Sequence, residues 1–81
     1  MSDMVKQVLA PLPGLFYRKP SPDAAPFKQE GDPVGAGETI GLIEAMKSFF
    51  PIEADVAGTL ARFLVQDGDT VDADQAIAEL E

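Results

Sequence analysis

Lys47 is the residue in this chain whose setting most suits chemistry, lying in the run Glu44-Ala45-Met46-Lys47-Ser48. It is the only basic residue between Lys28 and Arg62, and short apolar runs flank it, residues 39–43 before and 49–54 after. A primary amine set apart in this way suits a covalent attachment point. A single lysine on a turn also reads as an ordinary solvated charge, because one residue carries little motif information. Other chemistry is poorly provided for. The chain has no cysteine and no histidine, so it lacks a thiolate, a disulfide framework and the commonest general base and metal ligand. Ser2, Ser21 and Ser48 have no histidine with which to form a nucleophilic pair. The 14 acidic residues fall mostly in turn-like words such as Glu30-Gly31-Asp32 and Asp67-Gly68-Asp69. The expected role is participation in chemistry that other proteins catalyse.

The two runs around Lys47 are rich in β-branched and aromatic residues, which predicts strands. Only a tight connection fits between them, so they form a hairpin with Lys47 at its tip. Phe49 and Phe50 are adjacent, so either the strand bulges or one ring stays exposed. Eighty-one residues make one small domain. The net charge of −8, with no basic cluster beyond Arg18-Lys19, argues against nucleic acid as a partner. No apolar run approaches the ~18 residues of a membrane span. The opening Met1-Ser2-Asp3-Met4 has no signal-peptide pattern, so the expected location is cytoplasmic.

In chain order, residues 1–9 read as an N-terminal tail and 10–81 as the domain. Leu15, Phe16 and Tyr17 form a strand, with Gly14 permitting close backbone approach at its start. Three prolines within residues 20–26 make 18–26 a stiff loop, after which Phe27-Lys28 returns to a strand. Residues 59–65 are strand-like, and Asp72-Ala73-Asp74-Gln75 could open a single helical turn. Ala76-Ile77-Ala78-Glu79-Leu80 closes the chain as a strand that sets Ile77 and Glu79 apart across it.

The chain also resembles itself. Residues 30–44 align without a gap on residues 67–81, with six identities in 15 positions: Gly, Asp, Val, Ala, Ile and the final Glu. Upstream, residues 10–14 face residues 54–58 in the same way. Gly14 to Gly31 is 17 steps and Gly58 to Gly68 is 10, so the first copy carries seven extra residues, where the proline-rich loop lies. Two β units too small to bury their own faces would close into a two-fold sandwich. Glu44 and Ala54 bound the lysine hairpin, and their counterparts Glu81 and Ala10 bound the domain. The two-fold therefore predicts both chain ends at the pole opposite Lys47.

Ala45-Met46-Lys47 after an apolar strand, followed by Pro51-Ile52-Glu53-Ala54 and Gly58-Thr59-Leu60, resembles the biotinyl domain of biotin carboxyl carrier proteins. The resemblance runs from about Leu12 to Glu81. Residues 16–24 are similar to the stretch bearing the "thumb" of the bacterial acetyl-CoA carboxylase carrier, a loop that reaches toward the biotin. The family's motif usually continues with Met where this chain has Ser48. Lipoyl domains, the related carriers, typically show Asp at the place of Met46.

The resemblance implies an all-β flattened barrel of two four-stranded antiparallel sheets with the lysine on an exposed hairpin. It implies covalent biotin on Lys47, with Glu44, Ala45, Met46 and Ser48 read by a biotin ligase and Ser21, Pro22, Asp23 and Ala24 near the biotin. It further implies a non-catalytic carrier. Such a carrier shuttles carboxybiotin from a biotin carboxylase to a carboxyltransferase of an acyl-CoA carboxylase, acetyl-CoA in fatty acid synthesis being the expected case. A lipoyl carrier, or an unmodified module kept for binding, remains the alternative.

Overall fold

The computed structural model describes residues 6–81, and these are strands and turns without a helix. Eight strands follow in order: β1 (Lys6–Leu9), β2 (Gly14–Tyr17), β3 (Pro33–Val34), β4 (Thr39–Ala45), β5 (Ser48–Glu53), β6 (Gly58–Phe63), β7 (Thr70–Val71) and β8 (Ala76–Leu80). They form two four-stranded antiparallel sheets, ordered β1-β8-β6-β3 and β5-β4-β2-β7.

The repeat seen in the sequence generates this arrangement. Exchanging β1 with β5, β8 with β4, β6 with β2 and β3 with β7 turns one sheet order into the other. The registers agree residue by residue: Lys6 faces Leu80 and Gln7 faces Glu79 in one sheet, as Phe50 faces Ile43 and Pro51 faces Leu42 in the other. Turn chemistry repeats as well. The Gly35 and Asp72 amides donate to the side chains of Glu38 and Gln75, and the Gln29 and Gln66 amides to Asp32 and Asp69.

The apolar positions follow the same symmetry. Buried core residues pair as Val8 with Ile52, Ala10 with Ala54, Phe16 with Leu60, Val34 with Val71, Ile40 with Ile77, and Ile43 with Leu80. Ala78 completes the cluster, and no charged or polar side chain is buried in it. Ile77 and Ala78 are consecutive yet both buried, because the register slips at Ile77. A regular strand would put Ile77 and Glu79 on one face. The bulge separates them, and an equivalent slip at Ile40 does the same work in β4.

Gly14 and Gly58 open the repeat-related strands β2 and β6, where a side chain would be crowded. A Cβ on Gly14 would strike the Glu44 carbonyl and lie 2.6 Å from Ile43 Cγ2; on Gly58 it would lie 3.0 Å from the Glu81 carbonyl and 3.2 Å from Leu80 Cβ.

Four expectations differ from the structure. The tail over 1–9 gives way to a strand from Lys6, which pairs with β8 as an edge strand of that sheet; residues 1–5 lie outside the described residues. Phe27-Lys28 is not a strand: the loop closes at this point, with Phe27 N–H donating to the Arg18 carbonyl at 3.0 Å. The strand over 59–65 is displaced to Gly58–Phe63, and Leu64 N–H then turns to the Ile77 carbonyl. At Asp72-Ala73-Asp74-Gln75 there is a tight turn in place of a helical one, with Asp74 at φ 64° where the first copy has Gly37 at φ 82°. Lys6 and Leu80, near the two ends of the described residues, meet through the β1–β8 pairing, which the two-fold relates to the lysine hairpin.

Overpacking at a close backbone approach costs about 1–3 kcal/mol. Gly14→Ala should therefore lower the urea midpoint of the chain, and Gly58→Ala should lower it less. A wild-type midpoint for Gly14→Ala would contradict the packing described.

Candidate functional site

The β4–β5 ladder ends at the pair Ala45–Ser48, leaving Met46 and Lys47 as the two loop residues. Their φ values of 52° and 65° are those of a type I′ turn, whose twist matches the flanking strands. Neither residue is glycine, and the left-handed region costs a side-chain-bearing residue roughly 1–2 kcal/mol. The ladder beneath imposes the geometry. Both side chains consequently project from the tip, Met46 being 84% exposed and Lys47 exposed beside it. Among the described residues Lys47 has no ion-pair partner within 4 Å. Its amine is accessible and uncompeted for, which is what an acylating enzyme needs.

One strand register below the tip, Phe49 faces Glu44, and Glu44 faces Leu15. The Tyr17 hydroxyl donates to Glu44 Oε1 at 3.0 Å, and the Tyr17 and Phe49 rings lie 6.3 Å apart at 58°. Phe49 stays 59% exposed, whereas Phe50 faces Ile43 and is half-buried. The two rings thus take opposite faces without a bulge between them.

The proline-rich loop is rooted beside this face. Asp67 Oδ1 accepts the Arg18 N–H at 2.7 Å, the Arg18 guanidinium lies 4.3 Å over the Phe63 ring, and Ala24 N–H donates to the Ser21 carbonyl at 3.1 Å. Loop residues 19–22 and the hairpin residues Glu44 and Phe49 enclose an open cleft of ≈ 360 Å³, with Tyr17 and Asp67 completing its wall.

Of the residues expected at the site, Glu44, Ser21 and Pro22 meet at the cleft. Ala45, Met46, Lys47 and Ser48 form the tip above it, and Asp23 and Ala24 lie in the loop but off the cleft wall. Tyr17, Phe49 and Asp67 are members that sequence reasoning did not assign. The unpaired aromatic at 49–50 was a signal for Phe49. The Asp67–Arg18 contact joins residues 49 positions apart and had none. Among the described residues no group of three or more acidic side chains is arranged to hold a metal ion, and no helix is long and apolar enough to cross a membrane.

A two-fold β domain that sets one free lysine on a tight turn has the architecture of a domain for lysine-linked prosthetic groups. Residues 6–80 match the family described as "Biotin-requiring enzyme", and the chain belongs to this biotin/lipoyl attachment family. It is 42% identical over 74 residues to the biotin carboxyl carrier protein of acetyl-CoA carboxylase from Nostoc sp., covering 91% of this chain and 41% of the relative. The Haemophilus influenzae protein of the same name is 40% identical, covering 91% and 48%. The chain therefore spans less than half the length of these curated relatives. The urea carboxylase of Kluyveromyces lactis contains a similar fold, with a TM-score of 0.78 and 26% identity over 95% of this chain and 6% of that one. A single-chain, multi-domain long-chain acyl-CoA carboxylase shares the fold at a TM-score of 0.76 and 24% identity, over 93% and 7%.

The hydrogen bond to Glu44 is the main cause that raises the Tyr17 pKa above 10.0, with partial burial and the charges of Glu44 and Asp67 adding to it. A raised folded-state pKa contributes stability below the unfolded value and loses it as pH climbs through the folded one. The window is thus alkaline, above pH 10. Tyr17 is the only tyrosine, so ultraviolet titration reads it directly. The midpoint should fall toward 10 in Glu44→Ala, and an unchanged midpoint would show that this hydrogen bond is not made.

Proposed function

We propose that Lys47 carries biotin as an amide on its ε-amine, and that the chain is the carrier part of a biotin-dependent carboxylase. The observation that carries this reading is the free lysine at the type I′ tip, within Ala45-Met46-Lys47. The residues fit the group. Nothing described covers the amine, the tip stands clear of the last ladder pair, and the cleft below opens beside it. Biotin, when bound, supplies a ring nitrogen able to take up and release a carboxyl group.

The chain's own residues do the rest. A biotin ligase reads the rigid tip, with Glu44 and Ala45 holding the strand end, Met46 exposed as a contact, and Ser48 where the motif that this stretch resembles usually has Met. Amide formation removes the lysine charge and leaves a flexible arm on a fixed base. A tethered group then reaches a biotin carboxylase and a carboxyltransferase in turn at an effective concentration of order millimolar. Ser21 and Pro22 face the cleft next to the arm, and a turn through Asp23, closed by the Ala24 N–H on the Ser21 carbonyl, holds them there. The named relatives support acetyl-CoA as the eventual acceptor. Catalysis belongs to the partner enzymes and the site of work to the cytoplasm.

Co-expression with a biotin ligase should add one biotinyl increment to the intact mass, and Lys47→Arg should abolish it. Ser48→Met should leave the final extent unchanged and speed its approach. No increment under conditions that fully modify a standard carrier would refute biotinylation; a lipoyl increment from a lipoate ligase would replace the assignment.

A further inference from the structure

The two outer faces of this two-fold domain differ in chemistry although their backbones match. On the sheet carrying Lys47, Leu42 and Pro51 face each other, with Leu15, Tyr17 and Phe49 around them. Leu15 is 36% and Phe49 59% exposed. On the other sheet Glu79 faces Gln7 where Leu42 faces Pro51, Thr59 stands where Leu15 does, and Arg62 pairs with Glu79 at 3.1 Å, with Leu9 an exposed apolar side chain on its edge strand. Folding requires neither outer face to be apolar, since the core lies between the sheets. The apolar side chains are therefore available for contact beyond the domain.

We propose that this face docks a partner protein, and that an arginine of the partner enters the cleft lined by Tyr17 and Phe49, against the carboxylates of Glu44 and Asp67. The carrier reading supplies only the kind of partner, an enzyme that visits the Lys47 tip. The cleft's own chemistry selects the arginine. Glu44 uses Oε1 for the Tyr17 hydroxyl and Asp67 uses Oδ1 for the Arg18 N–H, leaving Oε2 and Oδ2 as acceptors.

Lys19 also borders the cleft, yet neither carboxylate forms an ion pair with it or with any other described cation. A planar guanidinium can stack on an aromatic face while donating to a carboxylate, which an ammonium does less well. The chain already uses that mode inside itself, where the Arg18 guanidinium lies over Phe63. A net charge of −8 draws a basic partner surface from a distance.

The test titrates the unmodified full chain with N-acetyl-arginine amide and with N-acetyl-citrulline amide, read by backbone and aromatic NMR shifts. Citrulline has the same shape but a neutral ureido head. Arginine should bind roughly tenfold more tightly, as expected for charge-assisted hydrogen bonds, with shifts centred on Tyr17, Glu44 and Phe49. Glu44→Gln should remove most of that preference, and Phe49→Ala should weaken arginine binding about threefold or more. Both side chains lie outside the core, and the shift pattern itself reports whether each variant is folded.

Equal binding, preference for citrulline, or no saturable shift would overturn the inference; preference for citrulline would assign the cleft to a ureido group. Biotin acceptance is read separately by mass. A chain that is biotinylated without an arginine preference overturns this inference alone, and the reverse result overturns only the carrier reading.

Discussion

Phe16, Ile40 and Ile43 from one copy of the repeat share a single apolar cluster with Leu60, Ile77 and Leu80 from the other. Each set would lie open without its counterpart, and burial of such side chains contributes roughly 1.5–3 kcal/mol apiece. Closure brings Gly14 against the Glu44 carbonyl, where only glycine fits, and Gly58 against the Glu81 carbonyl, where a Cβ would be tight. Those approaches set the distance between β2 and β4 and between β6 and β8. The lysine hairpin is the continuation of β4 past that point. Its position is thus a consequence of core packing and not of any interaction at the tip.

Function enters where the two copies stop matching. One copy continues past its last strand into the turn residues Met46 and Lys47. The first copy alone holds the seven-residue insertion, which closes at the Arg18–Phe27 hydrogen bond and leans toward the hairpin to form the cleft. Its outer face carries Leu15, Tyr17, Leu42, Phe49 and Pro51 around Glu44. Lysine and loop gather at one pole, and the pairing of β1 with β8 sets Lys6 beside Leu80 at the position the two-fold relates to the hairpin.

Much of this was legible because the repeat is written in residue types with strong backbone consequences. Gly31 and Gly68 at turns, Val34 and Val71 in the core, and Glu44 against Glu81 define the two-fold before any contact is known. The Ala-Met-Lys word placed the amine. Lys6–Leu9 was not legible as a strand, since Lys-Gln-Val-Leu has a single inward residue, Val8, and needs β8 to define it. The bulges at Ile40 and Ile77 were hidden for a similar reason, because strict alternation masks two consecutive buried positions. The cleft escaped notice because Tyr17, Phe49 and Asp67 come together only through sheet pairing and loop closure.

The central claim is that the fold presents a lysine-borne group for carboxyl transfer. It is tested most directly by loading labelled bicarbonate onto the biotinylated chain with a biotin carboxylase and ATP. The account predicts ATP-dependent label on the chain, at a rate far above that with free biotin at equal concentration. Biotinylated chain that accepts label no faster than free biotin would contradict it, showing that the hairpin holds the group without presenting it.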